Sequence, residues 1–401
     1  MSDTMDFSTT RAEALKLLCE NWPLKSESEY IPLQQAFGRV TAKPVYSRNT
    51  MPVHRVSKFD GIAVRFSAFE NGLPDTSGWV KGVDYVQADT GDDFPDAFDT
   101  IVAVEDFYHN DEGHICFFDN IDYEKGDCIR AAGTMIQKGD LITEAHTRLT
   151  PEHLAMLALG GIYQVEVIKK PKVIYIPTGS ELITAGIKPE RGQNIEANSL
   201  MVTSYLTQWG ADTFCCPIIK DNPSELEQAL DNALAAGDIV LINGGSSKGA
   251  EDFSTELLRK NSTVYRHGIR VVPGRPVNIA IINGKPVINL PGPTLAAFLA
   301  LDWCVFGLVH YYYGLPAPSR PRLKVRLEKP VKKNPEVEMY IRFSLTKQEG
   351  AYWAAQIGRE KNMPYTFLMA NALFVAPIGV AGYEAGDEIE VELLCGLENL
   401  R

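Results

Sequence analysis

Between Pro171 and Gly314 the chain alternates short apolar runs with amphipathic stretches, and this alternation restricts its fold more than any other feature. "PKVIYIP" (171–177), "ADTFCCPII" (211–219) and "DIVLIN" (238–243) are strand-like. "NSLMVTSYLTQWG" (198–210) and "DNPSELEQALDNALAAG" (221–237) read as helices. The second has Asn222 as its cap, Pro223 at the first helical position and Glu225 placed to complete a capping box. Strand and helix alternating at this spacing predict a doubly wound, mainly parallel sheet. Asn283-Gly284, further on, predicts a tight hairpin. The stretch closes with "LAAFLALDWCVFGLVHYYYG" (295–314), almost long enough to cross a bilayer. Asp302 lies inside it, and a charge at mid-bilayer is costly, so it reads as a buried helix of an α/β core and not as a membrane span.

The flanks have a different texture. Residues 7–21 predict an amphipathic helix, with Ala12, Leu15, Leu17 and Leu18 at helical spacing. From Met51 to about Gly139, short strand-like runs between Gly, Pro and Asp clusters predict a small β region. "TPEHLAMLALGG" (150–161) predicts a helix capped by Thr150, with Pro151 first and Glu152 in the first turn. After a Pro/Arg linker, "LPAPSRPRL", five strand-like runs predict a second β region.

A chain of 401 residues predicts several domains, and 45% hydrophobic with 22% charged residues is the composition of a globular protein. The net charge of −12 argues against a nucleic-acid binder, whose affinity comes from neutralising phosphates. The seven cysteines, with no CxxC, read as buried thiols in a reducing cytoplasm. The polar N-terminus lacks an export signal, and the scattered histidines offer no zinc-hydrolase motif.

In an open α/β sheet, ligands bind beyond the carboxyl ends of the strands. Here those ends carry "PTGSE" (177–181), "NGGSSKGAED" (243–252) and "NLPGPT" (289–294), with "VPGRP" (272–276) nearby. Glycine lets backbone approach a ligand, and amides at a helix start bind anions. Glu251 and Asp252, just past the glycines, suit a helix start or a Mg²⁺ site, and Glu196 is a third acidic candidate. Arg266, His267, Arg270 and Arg275 form either a solvated face or the positive lining an anionic substrate needs, and Lys248 points the same way.

These motifs, in this order, resemble the MoeA family, the molybdopterin molybdenumtransferases, also represented by the E domain of gephyrin. The family's "SAMDGYAV" stands as "SKFDGIAV" (57–64), "TGAPLPxGADAVVxxED" as "TGDDFPDAFDTIVAVED" (90–106), and "IRxxGxDxxxGD" as "IRAAGTMIQKGD" (129–140). "STGDEL" stands as "PTGSEL", "GGVSxGxxDF" as "GGSSKGAEDF", "KPGKP" as "VPGRP", "GLPGNPVSA" as "NLPGPTLAA", and the glycine-rich C-terminal signature as "ANALFVAPIGVAGYEAGDEIEVELL" (370–394). The resemblance implies four domains. Domain I is 1–50 with 140–170, domain II a β-rich insertion at 51–139, domain III a MogA-like, molybdopterin-binding α/β domain at 171–316, and domain IV β-barrel-like at 317–401. It also implies a cytoplasmic homodimer, Mg²⁺, and insertion of molybdate or a related oxyanion into adenylylated molybdopterin with release of AMP. Partner proteins would be molybdoenzymes or other biosynthetic enzymes.

By the same resemblance, Asp60, Thr90 and Asp252 are catalytic, and Asp252 with Glu251 serves the metal. Gly179, Glu181, Glu196, Gly244, Gly245, Ser246, Ser247, Gly249, Pro291 and Gly292 bind molybdopterin and nucleotide. Arg275, Arg342, Arg270 and Lys248 hold the oxyanion. Several positions depart from the family pattern. Val272 replaces a Lys, Ala296 a Ser and Ser180 an acid, Pro293 and Thr294 replace Asn and Pro, and Thr366 replaces a Ser. Each charge-assisted bond lost from an anion pocket is worth about 1.5–3 kcal/mol. The expectation is a weakened oxyanion site partly compensated by Arg270 and Lys248. Two other readings remain open on sequence: a molybdopterin adenylyltransferase, and a non-catalytic binding or scaffold protein.

Overall fold

The computed structural model describes residues 8–244, 253–358 and 367–396. One compact unit is Ser28–Ile168, and the other joins Met1–Glu27 to Lys169–Arg401. In the larger unit a six-stranded sheet is built from β1 (Lys172–Pro177), β2 (Asp212–Cys215), β3 (Ile239–Asn243), β4 (Val264–His267), β5 (Asn278–Ile282) and β6 (Lys285–Leu290). Their order is β2-β1-β3-β6-β5-β4. The first four run parallel, β5 runs against them, and β4, antiparallel to β5, points the same way as the first four. Central strands β3 and β6 are buried on both faces, which is why they read as continuous aliphatic runs. The Asn283-Gly284 hairpin forms as expected, both residues in the left-handed region at φ 50° and 73°.

Helices α1 (Asn198–Trp209), α2 (Pro223–Ala236), α3 (Phe253–Asn261) and α4 (Thr294–Tyr313) accompany the sheet. α1 stops at Gly210, whose φ of 92° only glycine adopts freely. α2 begins as predicted at Asn222, whose side chain accepts from the amides of Ser224 and Glu225. The return half of the box differs: the Glu225 carboxylate takes the Asn222 side-chain amide at 2.9 Å instead of a backbone N–H. Leu226, Leu230, Ala233 and Leu234 then pack with Ile174, Ile176, Val240 and Ile242 of β1 and β3. α4 is long and apolar enough to cross a membrane, yet 72% of its apolar window is buried inside the protein. Asp302, within it, is itself buried and forms a bidentate ion pair with Arg320.

Following these helices, five strands (Arg322–Leu327, Glu338–Gln348, Ala351–Gln356, Ala372–Ala376 and Glu388–Leu393) close into a barrel. Closure comes from the long strand Glu338–Gln348, which pairs with both Ala351–Gln356 and Ala372–Ala376. The "VPGRP" segment behaves differently from expectation. Val271–Val272 pairs in parallel with Glu338 and Met339 on the barrel side, not with the α/β strands. The cause is a turn: Gly268 and Ile269 donate to the carbonyls of Val277 and Arg275, which carries the intervening chain off the sheet.

The N-terminal helix spans Arg11–Asn21, not 7–21, because Thr10 and Glu13 form a capping box that fixes its start. In the smaller unit, Ser28–Pro32 pairs with Gln164–Ile168, and Tyr85–Ala88, Gly61–Val64 and Thr100–Ala103 form a three-stranded sheet. The helix Pro151–Leu159 begins at Thr150 as predicted, with Pro151 in the first turn. Of the seven thiols expected to be buried, Cys304 is buried, Cys215 is exposed and the other five are half-buried.

Candidate functional site

Glycine-bearing turns follow β1, β3 and β6, the three parallel strands at the sheet centre. Backbone bonds lace them together. Thr178 N donates to Asn243 O (3.0 Å) and Gly244 N to Leu290 O (3.3 Å). Gly179 and Gly244 have φ of 148° and 128°. A Cβ on Gly244 would stand 2.3 Å from Thr178 O, and one on Gly179 would stand 2.6 Å from the Glu181 carboxylate. Both positions therefore favour glycine for conformation, and at Gly244 the backbone carbonyl also leaves no space for a side chain. Ser180, where the family motif has an acid, exchanges bonds with Asp221: Ser180 N donates to Asp221 Oδ2 (2.8 Å) and Asp221 N to Ser180 Oγ (3.0 Å). Glu181 is exposed, and its carbonyl accepts from Asn194 N at 2.8 Å.

Beneath these turns lies a buried cluster of neutral polar side chains. Asn243 Oδ1 accepts from Tyr175 Oη (2.8 Å) and Asn198 Nδ2 (2.7 Å). Asn243 Nδ2 donates to the carbonyls of Leu290 (3.2 Å) and Pro291 (2.8 Å). Asn198 Nδ2 also donates to Gly292 O at 2.8 Å, while its Oδ1 is buried and accepts no bond among the described residues. Tyr175 reaches Glu196 Oε1 at 3.3 Å. Glu196 in turn caps α1, with Oε1 accepting from Ser199 N (2.9 Å) and Oε2 from Ser199 Oγ (2.5 Å). Burial, and then the nearby Glu196 charge, push the Tyr175 phenol far above its ordinary range, so it stays a protonated donor.

In the smaller unit the structure brings Asp60 and Thr90 together: Thr90 N donates to Asp60 Oδ1 at 2.7 Å. That bond, with a second from the Thr90 side chain, holds the exposed Asp60 carboxyl below its usual range. The neighbouring Gly61 explains the "DG" pair, because a Cβ there would stand 2.1 Å from Val102 O on the adjacent strand.

Of the basic candidates, Arg342 and Arg270 sit on the barrel side of the larger unit, while Arg266 and His267 lie on β4 of the α/β sheet. Arg342 lies on Glu338–Gln348 opposite Leu373, and partial burial pulls its guanidinium below its ordinary value. Arg270 directs Nε to the Glu336 carbonyl, and its own carbonyl accepts from Glu338 N at 3.0 Å. Arg275 closes the turn described above through its carbonyl. Gly245, Ser246, Ser247, Lys248, Gly249, Glu251, Asp252 and Thr366 lie outside the described residues. Among the described residues no three His, Cys, Asp or Glu side chains gather as a metal site. Glu251 and Asp252 offer hard oxygen donors, which fit Mg²⁺ by chemistry.

Sequence reasoning missed Tyr175, Asn198 and Asn243. A signal was present: a phenol and a carboxamide interrupt otherwise aliphatic strands in "VIYIP" and "VLIN". A buried polar group needs partners, so such interruptions mark a network.

Comparison with known proteins covers nearly all of the chain. Residues 9–161 match the MoeA N-terminal region (domain I and II), residues 174–310 a probable molybdopterin binding domain, and residues 324–394 the MoeA C-terminal region (domain IV). A molybdopterin molybdenumtransferase of Haemophilus influenzae is 28% identical over 78% of this chain and 80% of that protein. One from Nostoc is 27% identical over 92% of this chain and 89% of the relative. The solved molybdopterin biosynthesis MoeA protein of Pyrococcus horikoshii superimposes with a TM-score of 0.77 at 25% identity, covering 97% of this chain and 99% of its own. With both terminal MoeA regions in sequence order around a molybdopterin-type α/β domain, this chain belongs to the MoeA family.

Proposed function

We propose that this protein is a molybdopterin molybdenumtransferase of molybdenum-cofactor biosynthesis, inserting molybdate or a related oxyanion into adenylylated molybdopterin with release of AMP. The observation that carries the reading is the convergence of the Gly179, Gly244 and Gly292 turns at the ends of β1, β3 and β6, laced to one another and underpinned by Asn243. Close-approaching backbone of this kind suits a phosphate-bearing ligand whose specificity lies in shape and hydrogen bonding. Catalysis would then be positioning and electrostatics. Gly179, Glu181, Gly244, Gly245, Ser246, Ser247, Gly249, Pro291 and Gly292 would hold the ligand, and Glu196 would fix the start of α1 beside it. Mg²⁺ would neutralise pyrophosphate charge, held by Glu251 and Asp252. Arg275, Arg342, Arg270 and Lys248 would hold the oxyanion.

Asp60 and Thr90 would complete the site from the partner subunit of a homodimer, with the four-domain division given above and a cytoplasmic setting. The test is incubation with adenylylated molybdopterin, Mg²⁺ and either molybdate or tungstate, scoring AMP release. Oxyanion-dependent AMP release supports the reading. Binding of the ligand without release rejects the transferase in favour of a scaffold, and ATP-dependent formation of adenylylated molybdopterin assigns the earlier step.

A further inference from the structure

We infer that Asn243 is a positioning residue that couples the three ligand-facing turns, an inference that rests on the transferase reading for its ligand. A carboxamide offers two N–H donors and an oxygen with two lone pairs. In Asn243 all four are used: Tyr175 and Asn198 on the oxygen, Leu290 and Pro291 carbonyls on the nitrogen. These partners belong to three separate segments, namely β1, α1 and the end of β6 with the residue that follows it. Asn243 is itself the last residue of β3, one bond before Gly244. Asn198 extends the tie to Gly292, and Tyr175 extends it to Glu196. Asn243 is only 5% exposed, so water does not replace a lost partner. The four groups bonded directly to the Asn243 side chain are neutral. A ligand held by the Gly244 and Pro291-Gly292 turns together needs their spacing fixed before it arrives, and this residue fixes it.

The test uses the full-length protein with Asn243→Asp, which keeps the shape but turns a second acceptor toward the Leu290 and Pro291 carbonyls. The expected result is a KM for adenylylated molybdopterin raised at least tenfold with kcat changed less than threefold. Faster amide exchange should be confined to Thr178, Gly179, Leu290 and Gly292. Tyr175→Phe, which removes one donor, should raise KM about two- to fivefold, and it carries the test if the Asp variant does not fold. Wild-type KM and wild-type exchange in folded variants overturn the inference. So does exchange that rises evenly over the whole sheet, which is what a merely structural role gives. If the wild type turns over no adenylylated molybdopterin, the functional reading fails, while the exchange pattern still decides whether Asn243 sets the turns.

Discussion

The larger and smaller units hold their candidate residues by opposite means. At the strand ends of the larger unit the supporting groups are neutral, buried and bonded to one another: Tyr175, Asn198 and Asn243. In the smaller unit Asp60 is an exposed carboxylate held by one backbone amide and its threonine. A buried charge must be paired or it is costly, whereas an exposed one is cheap to keep and free to act. The first arrangement suits shape and spacing, the second suits a group that meets a charge or a proton. Both are flanked by a glycine packed against a neighbouring carbonyl, Gly244 on Thr178 and Gly61 on Val102.

The largest effect should come from that shared device. Gly61→Ala places a methyl 2.1 Å from Val102 O in the middle strand of a three-stranded sheet, where both neighbours are paired. The backbone must move, and overpacking of this kind costs about 1–3 kcal/mol. Gly244→Ala combines a φ of 128° with a 2.3 Å approach to Thr178 O, but it lies just past the end of β3 and not within a sheet. The comparison sharpens if urea unfolding shows Gly61→Ala losing more stability, while Gly244→Ala loses more affinity for adenylylated molybdopterin. Equal stability losses with unchanged affinity would mean that the two glycines are alike.

Tyr175→Phe should have an intermediate effect. It removes one hydrogen bond from a buried acceptor that retains another, so the expected loss is about 1 kcal/mol. Thermal unfolding of variant and wild type measures it. A loss near zero would mean that Asn243 has found a replacement donor, and the neutral cluster would be less specific than its geometry suggests.

How much of this was legible follows from what each feature depends on. α2 was legible from Asn222 and Pro223, and the hairpin from Asn283-Gly284, because caps and tight turns are set by adjacent residues. The departure of Val271–Val272 to the barrel was not, because two valines pair equally well with any open edge and the choice lies in the Gly268–Val277 turn. Asp60 and Thr90 were nameable through resemblance, yet their bond spans thirty residues of sequence that no spacing rule connects. Asn243 was visible only as an interruption, since its four partners lie on three segments that the fold alone assembles.

The smallest effect is a titration, and it separates the units most cleanly. Asp60 has its folded pKa lowered, chiefly by the Thr90 N–H and next by the Thr90 side chain. A depressed carboxyl contributes stability that is present above its unfolded value, near 4, and is lost as pH falls through the folded value. The carboxyl is fully exposed, so the consequence for stability is small, and the clear observable is the titration itself. Carboxyl-carbon NMR should find the Asp60 midpoint lower than that of an unstructured aspartate in the wild type. Thr90→Ala keeps the amide and loses the hydroxyl, so it should retain most of the depression. Over the same range Tyr175, whose phenol burial pushes upward, stays protonated. An ordinary carboxylate midpoint for Asp60 in the wild type would show that the Thr90 bond does not persist in solution. The smaller unit would then hold its acid no more firmly than any surface carboxylate.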